Sequence, residues 1–382
     1  MPNSEMQPIY LDNAASTRVS DDVVALMTEV MRSAWGNPSS QHPQGAAART
    51  YIEAARSRLL VALGDSTGSK GDIVWTSGCT EADALAVLGA ARTREGHVVA
   101  SSIEHAAVTE AATHTGREVR FVEPGEDGVL DPDDVAAAAI GAAVVAIVMV
   151  QNEVGTVQPI TAIAGAVRRA NPDCHIHVDA AQAFGKVPLD VTAIGADSVA
   201  LAGHKLHGPK GVGALWLRTG ARLEPLWVGG GQQKGLRGGT QDAPGAAGFG
   251  IAAERAIAQM PNARANWLEL AGRVTQILDA RGIAYRKLVP DVRRAPHILA
   301  LGVQGVPANA MRTVMSSRGV YLSTGSACAE GASKPSPVLV ALDLPQDHGM
   351  VRLSFGLDTQ AADVDTATML LADVITELRS AS

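Results

Sequence analysis

The sequence predicts an α/β protein, a mostly parallel sheet with helices on both faces, joined to a smaller α+β unit. Seven short apolar runs, at residues 73–76, 98–101, 119–122, 144–150, 176–178, 198–201 and 212–217, alternate with helical stretches. Several of these runs are apolar almost throughout, the pattern of strands buried on both faces. A glycine-rich tract at residues 229–239 then closes the alternating region, and helices dominate the rest of the chain.

Taken in order, residues 9–17 (IYLDNAAST) read as a short strand entering a turn, and a helix is expected from the acidic pair Asp21-Asp22. Residues 36–42 (GNPSSQH) are turn chemistry, and a long Ala/Arg-rich helix is expected over 44–63. The longest apolar run, 136–150, divides into a helix end, a turn at Gly141 and a buried strand. It is shorter than the ~20 residues a membrane-spanning helix needs. Past the glycine-rich tract an Ala-rich helix is expected over 243–260, with strands near 298–301 and 351–355 and a C-terminal helix over 361–379. The N-terminal segment is expected to pack near this last part, giving a large unit over 17–258 and a small one from 1–16 with 259–382.

Composition narrows the function. Aromatic residues make up 3% and the net charge is −7, which speaks against base stacking and against a phosphate-backbone partner. Cys79, Cys174 and Cys328 cannot all pair and have no zinc-like spacing, so a reduced, cytoplasmic setting is expected. No basic-then-apolar leader opens the chain.

Three stretches carry chemistry. In TSGCTEADA, residues 76–84, a strand ends in a Ser-Gly turn and a helix opens at Thr80. Such a start presents free N–H groups to an anion such as phosphate, although a plain N-cap would look the same. In HIHVD, residues 175–179, His175, His177 and Asp179 share one face of a strand. A metal site is one reading. The other gives Asp179 a strand-end role, such as holding a pyridine nitrogen protonated. In AGHKLHGPKGVG, residues 202–213, Lys205 comes just after an apolar strand. A desolvated lysine there can form a Schiff base with an aldehyde. GPKGVG lacks the spacing of a nucleotide-binding P-loop. Together the amine, the acid and the phosphate turn make the three grips that pyridoxal phosphate needs.

YLDNAAST, GNPSSQHPQG, TSGCTEADALA, SIEHAAV, QNEVGTVQP, HVDAAQAFGK, GHKLHGPKGVGAL, LRGGTQDAPG, STGSACAEG and VRLSFG occur in that order between residues 10 and 356. In this the chain resembles the NifS/IscS-like cysteine desulfurases. The resemblance implies a fold type I pyridoxal-phosphate enzyme with a seven-stranded sheet, acting as a homodimer. It implies that Lys205 forms the Schiff base, Asp179 pairs with the ring nitrogen and Gln182 reaches the ring oxygen. His105 would stack on the ring and move protons, beside Asn152. Cys79, Thr80 and His204 would hold the phosphate, with Thr240 contributed across the dimer. Asn37, Asn152 and Arg352 would bind the substrate, Arg352 as the bidentate grip on its carboxylate. Ala202 stands where the family usually has Ser, which removes a hydroxyl from the phosphate shell, and Gln151 stands where Asn is common.

Cys328 lies in a run of small residues, STGSACAEGA, with little to form a packed element. An incidental loop cysteine is the plain reading. Within the resemblance it is the thiol that takes sulfur from L-cysteine as a persulfide and hands it to an acceptor protein, for iron–sulfur assembly or thio-modification. Lys205 would remove the α-proton and alanine would leave. A selenocysteine lyase on the same fold, or a non-catalytic scaffold, are the alternatives. No motif names the acceptor, whose docking surface is expected to include this loop and the C-terminal helix.

Overall fold

Capping chemistry sets many of the boundaries in the computed structural model, which describes residues 8–325 and 336–380. A short strand, β1 (Ile9–Tyr10), leads to α1 (Asp21–Ser33), which carries its acidic pair in the first turn and Arg32 in the last. In α2 (Pro43–Ala62), proline takes the first position and His42 Nδ1 accepts the Gly45 N–H at 3.3 Å.

The alternating region comprises β2 (Gly71–Thr76), α3 (Cys79–Arg92), β3 (His97–Ser101), α4 (Ala106–Thr113), β4 (Val119–Val122), α5 (Pro132–Ala138), β5 (Ala142–Val148), α6 (Ile160–Ala170), β6 (His175–Asp179), β7 (Ser198–Ala202) and β8 (Gly213–Arg218). The seven apolar runs become one seven-stranded sheet in the order β2-β8-β7-β6-β5-β3-β4. The run at 136–150 divides at Gly141, which has φ +75°, as its sequence indicates. All pairs are parallel except those of β8, which runs antiparallel to β2 and β7. The physical reason is length: residues 203–212 are too few for a helical crossover, so the chain turns straight back. That tight return contains Lys205.

Alternate strand residues feed two apolar layers. Val99, Val145, Ile147, Ile176, Val178 and Val199 pack toward α2, α6 and the first part of α7 (Ala243–Ala280). Val98, Val144, Ala146 and Ala200 pack toward α3 and α4.

The remaining elements are β9 (Tyr285–Lys287), β10 (Ile298–Gln304), α8 (Ala308–Ser317), β11 (Val320–Tyr321), α9 (Pro337–Ala341), β12 (His348–Ser354) and α10 (Ala361–Ser380). They form an antiparallel sheet β12-β10-β9 over a second core. Leu301, Val351, Leu371 and Ile375 fill it, and Ile9 and Leu11 join it while β1 pairs with β11.

The helix expected to end near Met260 runs on through Pro261 to Ala280. A proline inside a helix removes one hydrogen bond and crowds the preceding turn. Burial on both sides outweighs this cost: Ala246, Phe249 and Ala253 sit in the first core, and Trp267, Leu270 and Val274 in the second.

The segment after β1 straps the lysine loop. Thr17 N–H and Oγ1–H both donate to His204 O, at 3.0 and 2.8 Å, and Ser20 N–H donates to His207 O at 3.0 Å. His207, buried and left-handed at φ +61°, donates its N–H to Thr17 Oγ1 at 2.7 Å. Its Nε2 accepts the Leu357 N–H at 3.1 Å, which ties the loop to the second core.

Candidate active site

The carboxyl ends of β2, β3, β5, β6 and β7 open onto one cavity of about 450 Å³, where ligands of parallel sheets usually bind. Its walls bring together Cys79, Thr80, His105, Asn152, Asp179, Gln182, His204 and Lys205. Residues from stretches far apart in sequence thus meet in one place.

Lys205 sits in a single 3₁₀ turn, Gly203–Lys205, directly after β7. Its Nζ donates to Ala14 O at 2.9 Å, the same carbonyl that accepts from Gln182 Nε2 at 2.7 Å. Burial pulls the amine below the ordinary lysine range, and Asp179 partly opposes this. An amine so placed gives up its proton more readily, as Schiff-base chemistry requires.

Asp179 ends β6 and accepts the Ala181 N–H at 2.8 Å. Cys79 Sγ lies 3.6 Å from Asp179 Oδ1, and burial first, then the neighbouring Asp179, pushes that thiol well above the usual range. The cavity thiol is therefore no nucleophile at neutral pH. His105 caps α4: its Nδ1 accepts the Ala107 N–H at 3.1 Å, which leaves Nε2 to carry the exchangeable proton. Burial lowers its basicity. His204 is held down to about 4 by burial and by Lys205, Lys186 and Lys210, with its Nδ1 3.2 Å from Ser16 Oγ.

The turn expected to hold the phosphate is built by backbone. Helix α3 starts at Cys79, one residue before the expected Thr80, and its N-cap Gly78 brings no side chain to satisfy the first N–H groups. Thr76 Oγ1 donates to Gly78 O at 2.9 Å and Glu81 Oε2 accepts the Ser77 N–H at 2.7 Å. Arg237 grips the other oxygen of Glu81 at 2.9 Å, which anchors the glycine-rich tract to this turn. A Cβ on Gly213 would lie 2.5 Å from the Gly78 carbonyl carbon. Gly213→Ala should therefore displace the turn at a cost of about 1–3 kcal/mol, weakening cofactor binding by about 5- to 150-fold in a fluorescence titration.

Four expected residues lie off this wall. Ala202 is buried at the end of β7 and brings no hydroxyl to the cavity. Asn37 is exposed, its Oδ1 accepting the Ser39 N–H at 2.9 Å, and Thr240 is exposed as well. Arg352 is buried, with Nη1 donating to Asn152 O at 2.8 Å and Nη2 to Asp12 Oδ1 at 2.6 Å. Its Nε is buried without a partner. Cys328 and most of its loop lie outside the described residues. Gln151 builds its own turn, its Oε1 accepting the Glu153 and Val154 N–H groups at 2.6 and 2.9 Å.

Sequence reasoning gave no role to Ala14, Ser16, Asp83 or Lys210. Ser16, Asp83 and Lys210 line the cavity, and the Ala14 carbonyl takes Lys205. Only Asp83 carried a signal, one helical turn beyond Cys79 on α3.

The two histidines of the possible metal motif turn elsewhere. His175 Nε2 and His177 Nδ1 meet Ser198 Oγ at 2.8 and 2.9 Å, and His177 Nε2 meets Asp83 at 3.0 Å. Burial pushes His175 down to about 3 and His177 to about 4, from 6.5. Below that reference value the unfolded chain takes up protons the folded chain refuses. Stability is thus complete above it and falls as pH drops toward 4. At about pH 5 the loss is about 2 kcal/mol per histidine, measurable by urea unfolding of the apoprotein at about pH 5 and about pH 7.5.

The donor set fits pyridoxal phosphate: an amine of lowered basicity for the aldehyde, a carboxylate at a strand end and an uncapped helix start for the phosphate. Known proteins agree with this. The model of the class-V aminotransferase family matches residues 9–366. A cysteine desulfurase of Bradyrhizobium diazoefficiens is 37% identical over 98% of this chain and 96% of its own. A solved NifS-like protein superposes with a TM-score of 0.89 at 30% identity, covering 97% of this chain and all of the other. The solved structure named "SspA in complex with cysteine" has a TM-score of 0.77 at 31% identity, over 91% and 98%. With fold, cavity and relatives in agreement, the chain belongs to the class-V aminotransferase family, as a pyridoxal-phosphate-dependent, NifS/IscS-like cysteine desulfurase.

Proposed function

We propose that the chain binds L-cysteine beside the cofactor, moves its sulfur onto Cys328 and passes the persulfide to an acceptor protein. One observation carries this: a half-buried amine of lowered basicity, a strand-end acid and an uncapped helix start share a single cavity. The bound cofactor supplies an electron sink for charge developing at the substrate Cα. Asp179 holds the ring nitrogen and Gln182 reaches toward the ring oxygen. Thr80, the Cys79 backbone and His204 hold the phosphate. Lys205, its basicity lowered by desolvation, takes the Cα proton. His105 exchanges a proton with the substrate thiol through Nε2. Arg352, with an unpartnered Nε beside the Asn152 carbonyl, orients the substrate carboxylate together with Asn152. The substrate C–S bond breaks, an S–S bond forms at Cys328, and the remaining skeleton leaves as alanine.

A homodimer completes the site. Thr240 is away from this chain's cavity wall, while Arg237 fixes its tract beside the phosphate turn. Val228, in the same region, is 89% exposed and Trp35 is 70% exposed, as surfaces covered by a second copy would be. Asn37 reaches substrate from the same assembly. Among the described residues no helix is long and apolar enough to cross a membrane, and free thiols fit a reducing cytoplasm.

Borohydride reduction of the holoenzyme and subsequent peptide mapping test the central assignment. The reduced cofactor is expected on Lys205. A label on any other residue, or none, removes the basis of the reading.

A further inference from the structure

Behind Asp179 a line of buried polar groups runs from β7 through β6 to α3. His175 Nε2 lies 2.8 Å from Ser198 Oγ, His177 Nδ1 lies 2.9 Å from the same oxygen, and His177 Nε2 lies 3.0 Å from Asp83 Oδ1. His175 Nδ1 is buried with no partner. A buried orphan N–H is costlier than an orphan lone pair, so the protons run one way. His175 Nε2–H donates to Ser198, Ser198 O–H donates to His177 Nδ1, and His177 Nε2–H donates to Asp83 Oδ1. Every proton of the line is then used and none of them sits on Asp83; the Cys79 thiol also meets Asp83 and opposes its protonation, less strongly than burial and Asp179 favour it.

Asp83 has reason to carry a proton of its own. It is 1% exposed, and ligand-type atoms of Cys79, Asp83 and Asp179 all lie within 4.8 Å of one another. The groups facing Asp83 are His177 and Asp179 from β6, Cys79 from its own helix and Glu104 from the segment after β3, with Lys205 beyond Asp179. Two carboxyls this close and this buried resist carrying two charges. Burial first, then Asp179 and Glu104, raise Asp83 well above the ordinary carboxylate range.

We propose that Asp83 is a positioning residue, a carboxylic acid kept neutral by its buried carboxylate neighbours and held in place by the histidine line, so that Asp179 remains the one anion of the pair at the cofactor's ring nitrogen. The inference rests on the assignment of Asp179 to that nitrogen. Pinned by His177 on one side, Asp83 offers its acid proton toward Asp179 and fixes which carboxyl holds the charge.

The test uses two readouts besides activity. In the apoenzyme at about pH 8, a protonated-carboxyl stretch in the infrared difference between wild type and Asp83→Asn is expected, sensitive to deuterium exchange. In Asp179→Asn the same band should titrate away at lower pH, because its like-charged neighbour is gone. In the holoenzyme, Asp83→Asn replaces one neutral group by another. The pH midpoint of the bound cofactor's absorption band should then stay within about 0.3 unit of wild type. Absence of the infrared band, an unchanged band titration in Asp179→Asn, or a midpoint falling by about one unit in Asp83→Asn would each overturn the proposal. A failure of the Asp179 assignment looks different: Asp179→Asn would leave the cofactor midpoint unmoved while the apoenzyme band still responded.

Discussion

Lys205→Ala is expected to lower conversion of cysteine to alanine by about 10³-fold or more, the scale of a positioned proton-transfer group, with a further loss from the missing covalent link. The N-terminal strap sets this up. The Ala14 carbonyl holds Nζ at 2.9 Å, and desolvation lowers the amine's basicity, which is what the proposed roles of joining an aldehyde and taking the substrate Cα proton require. Two neighbouring bases are poorly suited to replace it. His204 is too weak a base at about 4, and Lys186 is buried, with its Nζ donating to Gln182 at 3.2 Å. The variant should still fold, since removing a half-buried amine also removes its desolvation cost. Equal thermal unfolding, cofactor retained without a covalent link, and collapsed turnover would together be the expected result. Turnover within about tenfold of wild type would mean that another group takes the proton.

The sheet was readable because its strands are apolar nearly throughout: all seven residues of β5 and all five of β6 and β7 are buried. Such runs leave little ambiguity about what packs inside. The antiparallel run of β8 was not readable from its own residues, since the length of the preceding loop decides it. The end of the long helix was misread for a related reason. Pro261 is a local signal against helix, and tertiary packing on both sides outweighs it. At the site, residues whose chemistry is particular to their type were legible: an amine, an acid and a glycine turn announce what they can do. Ala14 was not, because it acts through a carbonyl that every residue has. Asp83 was visible only as one acid among many until β6 brought His177 against it at 3.0 Å.

Cys328→Ala is expected to abolish persulfide formation and lower alanine production by about 10²-fold or more, while the cofactor stays bound and spectrally normal. The other two thiols are held protonated. Cys79 stands in the cavity, but burial and the neighbouring Asp179 push it well above the usual range. Cys174 is buried and pushed up to about 12, again by burial first, with its Sγ 3.7 Å from His175 O. Neither offers a thiolate near neutral pH, and a thiolate is what attacks sulfur. That leaves Cys328, placed by sequence among small residues between Ser323, which pairs with Arg352, and α9. Alkylating the enzyme after one turnover with cysteine and mapping the peptides should find the extra sulfur on Cys328 alone. Extra sulfur on Cys79 would mean that the cavity thiol is ionised despite its surroundings, and would move the acceptor inside the site.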